Sequence, residues 1–221
     1  MADEGADLLL LGRDLAKLRA VADSIRTRTG RAVETVPCDL AQPESVQEAC
    51  RRTLAAAPVV DVLVNNGAPW LPGDFTSLSD ADIEATVAAA VTGTMLATKG
   101  LLPGLLRSTV ADIVTIVSTS GLPGSSFGEA SAAFTASKHA QSGFSDQLRA
   151  ELKEHAIRVT AIYPPNFDDT DPLGPEWNEV RGPSSRKALT NREVVAAVMF
   201  AITAPRVCAY SEIILENMWR E

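Results

Sequence analysis

Short apolar runs alternate with segments of 3.6-residue hydrophobic period from one end of this chain to the other, and that alternation constrains the fold more than any single motif. Strands buried on both faces read as unbroken apolar runs, and each return to a parallel neighbour needs a crossover, usually a helix. Leu8 to Leu11 reads as the first strand, followed by a helix that Asp14 can cap and Gly30 can end. Val33 to Val36 predicts a second strand, with a helix starting near Pro43, a favoured first helical position. Val62 to Val64 predicts a third. Ser79 then caps a long Ala-rich helix whose later part is expected to be interrupted at Gly100, Pro103 and Gly104. A strand over Ile113 to Val117, a helix from about Glu129 to His155, a strand over Arg158 to Tyr163, a helix capped by Thr190 and a strand over Ser211 to Glu216 complete the series. Residues 164–189 carry five prolines without sustained periodicity and read as a long, mobile loop, the region expected to shape a substrate site. The expected fold is α/β, a doubly wound Rossmann-type parallel sheet in three layers, forming one domain over residues 1–221.

Composition narrows the function. A chain of 221 residues, 46% hydrophobic, supports one sizeable core. The net charge of -8 and pI near 4.9 oppose loose binding to nucleic acid or anionic membranes. Cys38, Cys50 and Cys208 stand far apart in no metal-like spacing, as expected for reduced, mostly buried thiols. The opening Met-Ala-Asp-Glu-Gly-Ala-Asp has no basic segment ahead of an apolar one, and no apolar run reaches about 18 residues. Neither a signal peptide nor a membrane span is expected, and the location predicted is cytoplasmic, with no metal.

The chemistry concentrates in Ser131-Ala-Ala-Phe134-Thr-Ala-Ser-Lys138 and in Ser118, at the end of a predicted strand. Phe134 and Lys138 are about one helical turn apart, so their side chains point into the same space. This order, with Asn65-Asn66-Gly67-Ala68 directly after a strand, resembles the short-chain dehydrogenase/reductase (SDR) family over nearly the whole chain from Gly5 onward. That family carries a Tyr where Phe134 stands, its phenol acidified by the Lys and serving as general acid/base. The resemblance implies oxidation of an alcohol or reduction of a carbonyl on a small molecule, with a nicotinamide cofactor. It assigns substrate positioning to Ser118, with Ser120 as competitor because the 16 residues from Ser118 to Phe134 exceed the family's spacing. Lys138 is implied to hold the nicotinamide ribose. Asp39 would lie near the adenine, Asn65, Asn66 and Gly67 along the cofactor, and Arg13 at a ribose 2'-phosphate, favouring NADP over NAD.

Four departures accompany the resemblance. Phe134 has no proton to give. Ala90 occupies the place of an Asn on the long helix, and Pro165 the place of a Gly after Pro164. Glu4-Gly5-Ala6-Asp7-Leu8 already resembles the junction into the family's second strand, so an opening of roughly 25 residues, with the family's first strand and its Gly-rich turn, is not in the sequence. A late start codon, a truncation, and a chain that dispensed with the cofactor all account for this. The expected function is an SDR oxidoreductase impaired in hydride transfer, with weak or absent cofactor binding. The alternative is a catalytically silent binding or scaffold subunit; different chemistry in the same pocket is a third possibility. Self-association as a homodimer or homotetramer is also expected, through small residues on the two long helices: Ala88, Ala89, Ala90 and Gly93, and Ala136, Ala140 and Gly143.

Overall fold

A computed structural model describes residues 1–125, 128–171, 174, 177 and 189–218. Among the described residues six strands and six α-helices follow in the order β1 (Leu8–Gly12), α1 (Leu15–Thr29), β2 (Val33–Pro37), α2 (Pro43–Ala56), β3 (Val62–Asn65), α3 (Asp80–Val87), α4 (Thr94–Leu105), β4 (Asp112–Ile116), α5 (Ala132–Leu152), β5 (Arg158–Tyr163), α6 (Asn191–Ile202) and β6 (Glu212–Ile214). Each pairing between these strands is parallel. The sheet is not continuous among the described residues: β1 pairs with β2, while β3, β4, β5 and β6 pair in that order as a separate four-stranded sheet. Leu9, Leu11 and Leu63 nevertheless pack on one cluster with Val46, Cys50, Ala97 and Leu101, so α2 and α4 span the two sheets on one face. Helices cover both faces of the four-stranded sheet, as three layers require. Ile113 packs with Leu105 and Leu152 of α4 and α5, and its neighbour Val114 packs with Ala197 and Val198 of α6.

The local starts follow from capping chemistry. Asp14 accepts from the Lys17 amide at 2.9 Å, Ser79 from that of Asp82 at 3.1 Å, and Thr190 and Glu193 form a reciprocal capping box. Ser131 caps α5 by accepting from the Phe134 amide, which moves the helix start from the expected Glu129 to Ala132. β6 is likewise shorter than the expected run. The expected loop over 164–189 falls largely outside the described residues.

The long helix departs from expectation. It runs through Gly100, Pro103 and Gly104, and its irregularity comes earlier, as a π-turn over Ala88–Gly93. Pro103 is tolerated near the helix end, and the glycines are needed by packing. A Cβ on Gly100 would come within 2.6 Å of Cys50 Sγ, and one on Gly104 within 2.7 Å of Leu54. With the π-turn included, residues 80–105 form one 26-residue helix, long and apolar enough to cross a membrane by length and composition. No single apolar run in the sequence announced that length. Its packing against α2, and through the π-turn against α5, accounts for the apolar character within the fold.

Candidate active site

The residues singled out from sequence gather at the carboxyl ends of the parallel strands, where open α/β sheets hold their ligands. Arg13 follows β1, Asp39 follows β2, Asn65 ends β3 with Asn66 and Gly67 after it, and Ser118 lies two residues past β4. Lys138 reaches this edge from α5 by donating to the carbonyl of Ile116, the last residue of β4, at 3.1 Å.

Lys138 is buried, and burial pushes its pKa down from 10.5 to about 8. Its second bond goes to Gln141 Oε1 at 2.9 Å. The ammonium also sits 5.6 Å from the Phe134 ring centroid, within cation–π range. Phe134 is itself buried at 6% exposure, and Trp70 meets its ring edge-to-face at a centroid distance of 4.7 Å. Trp70 is held there by pairing between two loops: the Ser131 amide donates to Leu71, the Gly73 amide to Glu129, and Pro72 bridges Ala130. The position opposite the lysine is therefore apolar and packed.

Ser118 occupies a conformation almost reserved for glycine, with φ 145° and ψ 154°. The chain is fixed on both sides, by the Val117 amide on Ile162 and the Thr119 amide on Pro164, and Ser118 Oγ accepts from the Ser120 amide at 3.1 Å. Ser118 is half-buried and Ser120 buried. A cleft of about 300 Å³ opens beside them, lined by Thr119, Leu122, Ser125, Pro165 and Ile214 among others. Neither Phe134 nor Lys138 lines it.

The remaining candidates are largely engaged within the chain. One Asp39 oxygen accepts from the Ala41 amide at 3.0 Å in an Asx-type turn. The buried Asn65 amide donates to Thr98 Oγ1 at 3.0 Å. A Cβ on Gly67 would meet only the outer end of the Leu40 side chain, which can swing away. Asn66 and Arg13 are exposed, and Arg13 makes no hydrogen bond or ion pair among the described residues. Ala90 is buried. Tyr163, the nearby phenol, is fully buried, bonded to Ser142 at 2.8 Å and Glu212 at 3.3 Å, with its pKa raised by burial; it cannot replace the missing acid. Among the described residues no cluster of three or more His, Cys, Asp or Glu could hold a metal. Cys38 and Cys50 are free and buried, and burial with the neighbouring Cys38 raises Cys50 to about 11.

Sequence reading missed two residues. Gln141 lies three positions after Lys138, a helical neighbour spacing that could have flagged it. Trp70 had no such signal, because loop pairing brings it to α5.

A parallel α/β framework with its polar residues at the carboxyl edge defines a Rossmann-type protein. The chain belongs to the short-chain dehydrogenase family, whose model, described as short chain dehydrogenase, matches residues 1–180. An uncharacterized oxidoreductase of Staphylococcus saprophyticus is 28% identical over 205 residues, covering 93% of this chain and 84% of that protein. A metagenomic short-chain oxidoreductase solved with NADP superposes with a TM-score of 0.78 at 26% identity, covering 97% of this chain and 86% of the other. An alcohol dehydrogenase of Thermococcus sibiricus, solved with 5-hydroxy-NADP, gives 0.82 at 21% identity over 100% and 89% of the two chains, a likeness of fold.

Proposed function

We propose that this chain is an NADP-type short-chain oxidoreductase of small carbonyl or alcohol substrates whose hydride transfer is impaired because its acid/base position is an aromatic hydrocarbon. The observation that carries this reading is the Lys138–Phe134–Trp70 arrangement. A buried cation stands where it could acidify a phenol, and the ring facing it has no hydroxyl. A positioned acid/base contributes roughly 100- to 10,000-fold to rate, so reduction without it lacks a proton for the nascent alkoxide.

A nicotinamide cofactor, when bound, supplies the hydride or its acceptor. The exposed, unpartnered Arg13 fits a 2'-phosphate, and Lys138 retains one N–H beyond its two bonds for a ribose hydroxyl. Asn66 and the Gly67 backbone are open at the end of β3. Asp39 and Asn65 must serve the cofactor while keeping their present partners, which argues for weak affinity. Calorimetric titration with NADPH and NADH tests this; binding weaker than micromolar with preference for NADPH is expected, and preference for NADH contradicts the role of Arg13.

The second reading, a silent binding or scaffold subunit, draws support from Trp70 packed over Phe134 and from a cleft that excludes Lys138. Robust consumption of NADPH or NADH with ketones or quinones by the unmodified chain removes both readings. Of the residues expected to mediate self-association, Ala90 and Gly93 point inward, and a Cβ on Gly93 would collide with the Leu40 carbonyl. Ala136 and Gly143 of α5 remain exposed. A homodimer or homotetramer through that face is still part of the proposal, as are a cytoplasmic location and no nucleic-acid or membrane partner; sedimentation equilibrium reads the assembly directly.

A further inference from the structure

A buried amide, unassigned by the family resemblance, organises the lysine. Gln141 is 3% exposed, and its polar atoms are all engaged. Oε1 accepts from Lys138 Nζ at 2.9 Å, while Nε2 donates to the Ala90 carbonyl at 2.8 Å and to Thr94 Oγ1 at 3.4 Å. The orientation is fixed by chemistry: an ammonium only donates and a carbonyl only accepts, so the amide cannot be flipped without losing both bonds.

The far end of the amide rests on the π-turn. Such a turn disturbs the i to i−4 ladder and changes the partners its backbone groups need. Gln141 supplies one to the carbonyl of Ala90, which lies within that turn. The chain of bonds continues through Thr94. Its carbonyl accepts from Thr98 Oγ1 at 2.8 Å, and that oxygen in turn accepts from Asn65 at 3.0 Å. Asn65, Thr98, Thr94, Gln141 and Lys138 are all buried, so each bond lies in a low dielectric and a broken link leaves an unpaired polar group.

We propose that Gln141 is the positioning residue that holds the Lys138 ammonium charged and in place at the end of β4, tying it through the π-turn to Asn65 on β3. The purpose assigned to that ammonium rests on the cofactor reading above. The hold itself does not. Gln141 provides the only side-chain acceptor the lysine has among the described residues, and the Ile116 carbonyl provides the other acceptor.

The test follows the carbon-13 resonance of Lys138 Cε by NMR through its titration, without cofactor. The unmodified chain should titrate near about 8. Gln141→Met keeps the volume but removes the acceptor, and should lower the midpoint by about one pH unit, a tenfold change in the ratio of charged to neutral amine at fixed pH. Gln141→Glu places an anion beside the ammonium and should raise the midpoint instead. Opposite shifts support the proposal, because a purely packing role would not follow the sign of the charge; if only one variant folds, its direction alone decides. An unchanged midpoint in either variant, or shifts in the same direction, overturns it. NADPH titration of the unmodified chain is scored separately. Opposite shifts without NADPH binding refute the cofactor reading and leave the hold on Lys138 intact; binding without those shifts does the reverse.

Discussion

The two ends of β4 carry buried charge in opposite ways. At the amino end, Asp112 accepts from Arg158 Nε and Nη2 at 2.6 and 2.9 Å, and from Arg206 at 3.0 Å. The remaining guanidinium groups reach the carbonyls of Ile202, Ala204, Cys208, Ala111 and Ala156. The Asp112 bond raises the pKa of Arg158 further. At the carboxyl end, Lys138 has one carbonyl and one amide oxygen, no carboxylate among the described residues, and a pKa lowered by burial to about 8. Fully paired charge fastens strands, helix and loop together. An under-paired cation keeps the capacity to exchange a proton or to donate to a further oxygen.

The largest effect is expected at Asp112. Asp112→Ala leaves two guanidinium groups without their anion, and removing one partner of such a buried pair costs about 3–5 kcal/mol. Denaturant unfolding should show a loss of that order; a loss near zero would mean the arginines are held by carbonyls alone.

Lys138 should leave a smaller signature with a defined pH window. Its folded pKa of about 8 lies below the free value of 10.5. Below about pH 8 both folded and unfolded chains are protonated and the full burial cost is present. Between about 8 and 10.5 the unfolded chain keeps a proton the folded chain has lost, so stability rises with pH, and above 10.5 the rise ends. Relative to Lys138→Met, the unmodified chain should gain on the order of 3 kcal/mol across that window. Parallel stability curves for the two proteins would mean Lys138 titrates normally.

Ser118 offers the smallest effect. Its glycine-like backbone stores of order 1–3 kcal/mol, so Ser118→Gly should stabilise by about 1 kcal/mol after the lost bond to the Ser120 amide, whereas Ser118→Ala should not. Thermal unfolding of the pair distinguishes real strain from an unstrained turn.

What the sequence made legible were features decided within a few residues. Asp14, Ser79 and Thr190 cap the helices they were expected to cap, Pro43 opens α2, and the strand positions follow the apolar runs. Lys138 and Phe134 were legible because one helical turn joins them. What escaped depended on distant partners. The break between β1 and β3 is a fact of strand pairing, the π-turn is answered by an amide 51 positions further on, and Trp70 reaches Phe134 through loop pairing. The expected break at Gly100 to Gly104 failed because those glycines serve close contact with Cys50, Leu54 and Val60 instead of ending the helix.

Phe134→Tyr tests most directly whether the missing proton donor limits hydride transfer at this site. NADPH and NADH consumption against a panel of ketones and quinones should lie at background for the unmodified chain and rise by roughly 100- to 10,000-fold in the variant. Comparable turnover by both proteins, or none by the variant while it binds NADPH, would contradict the account.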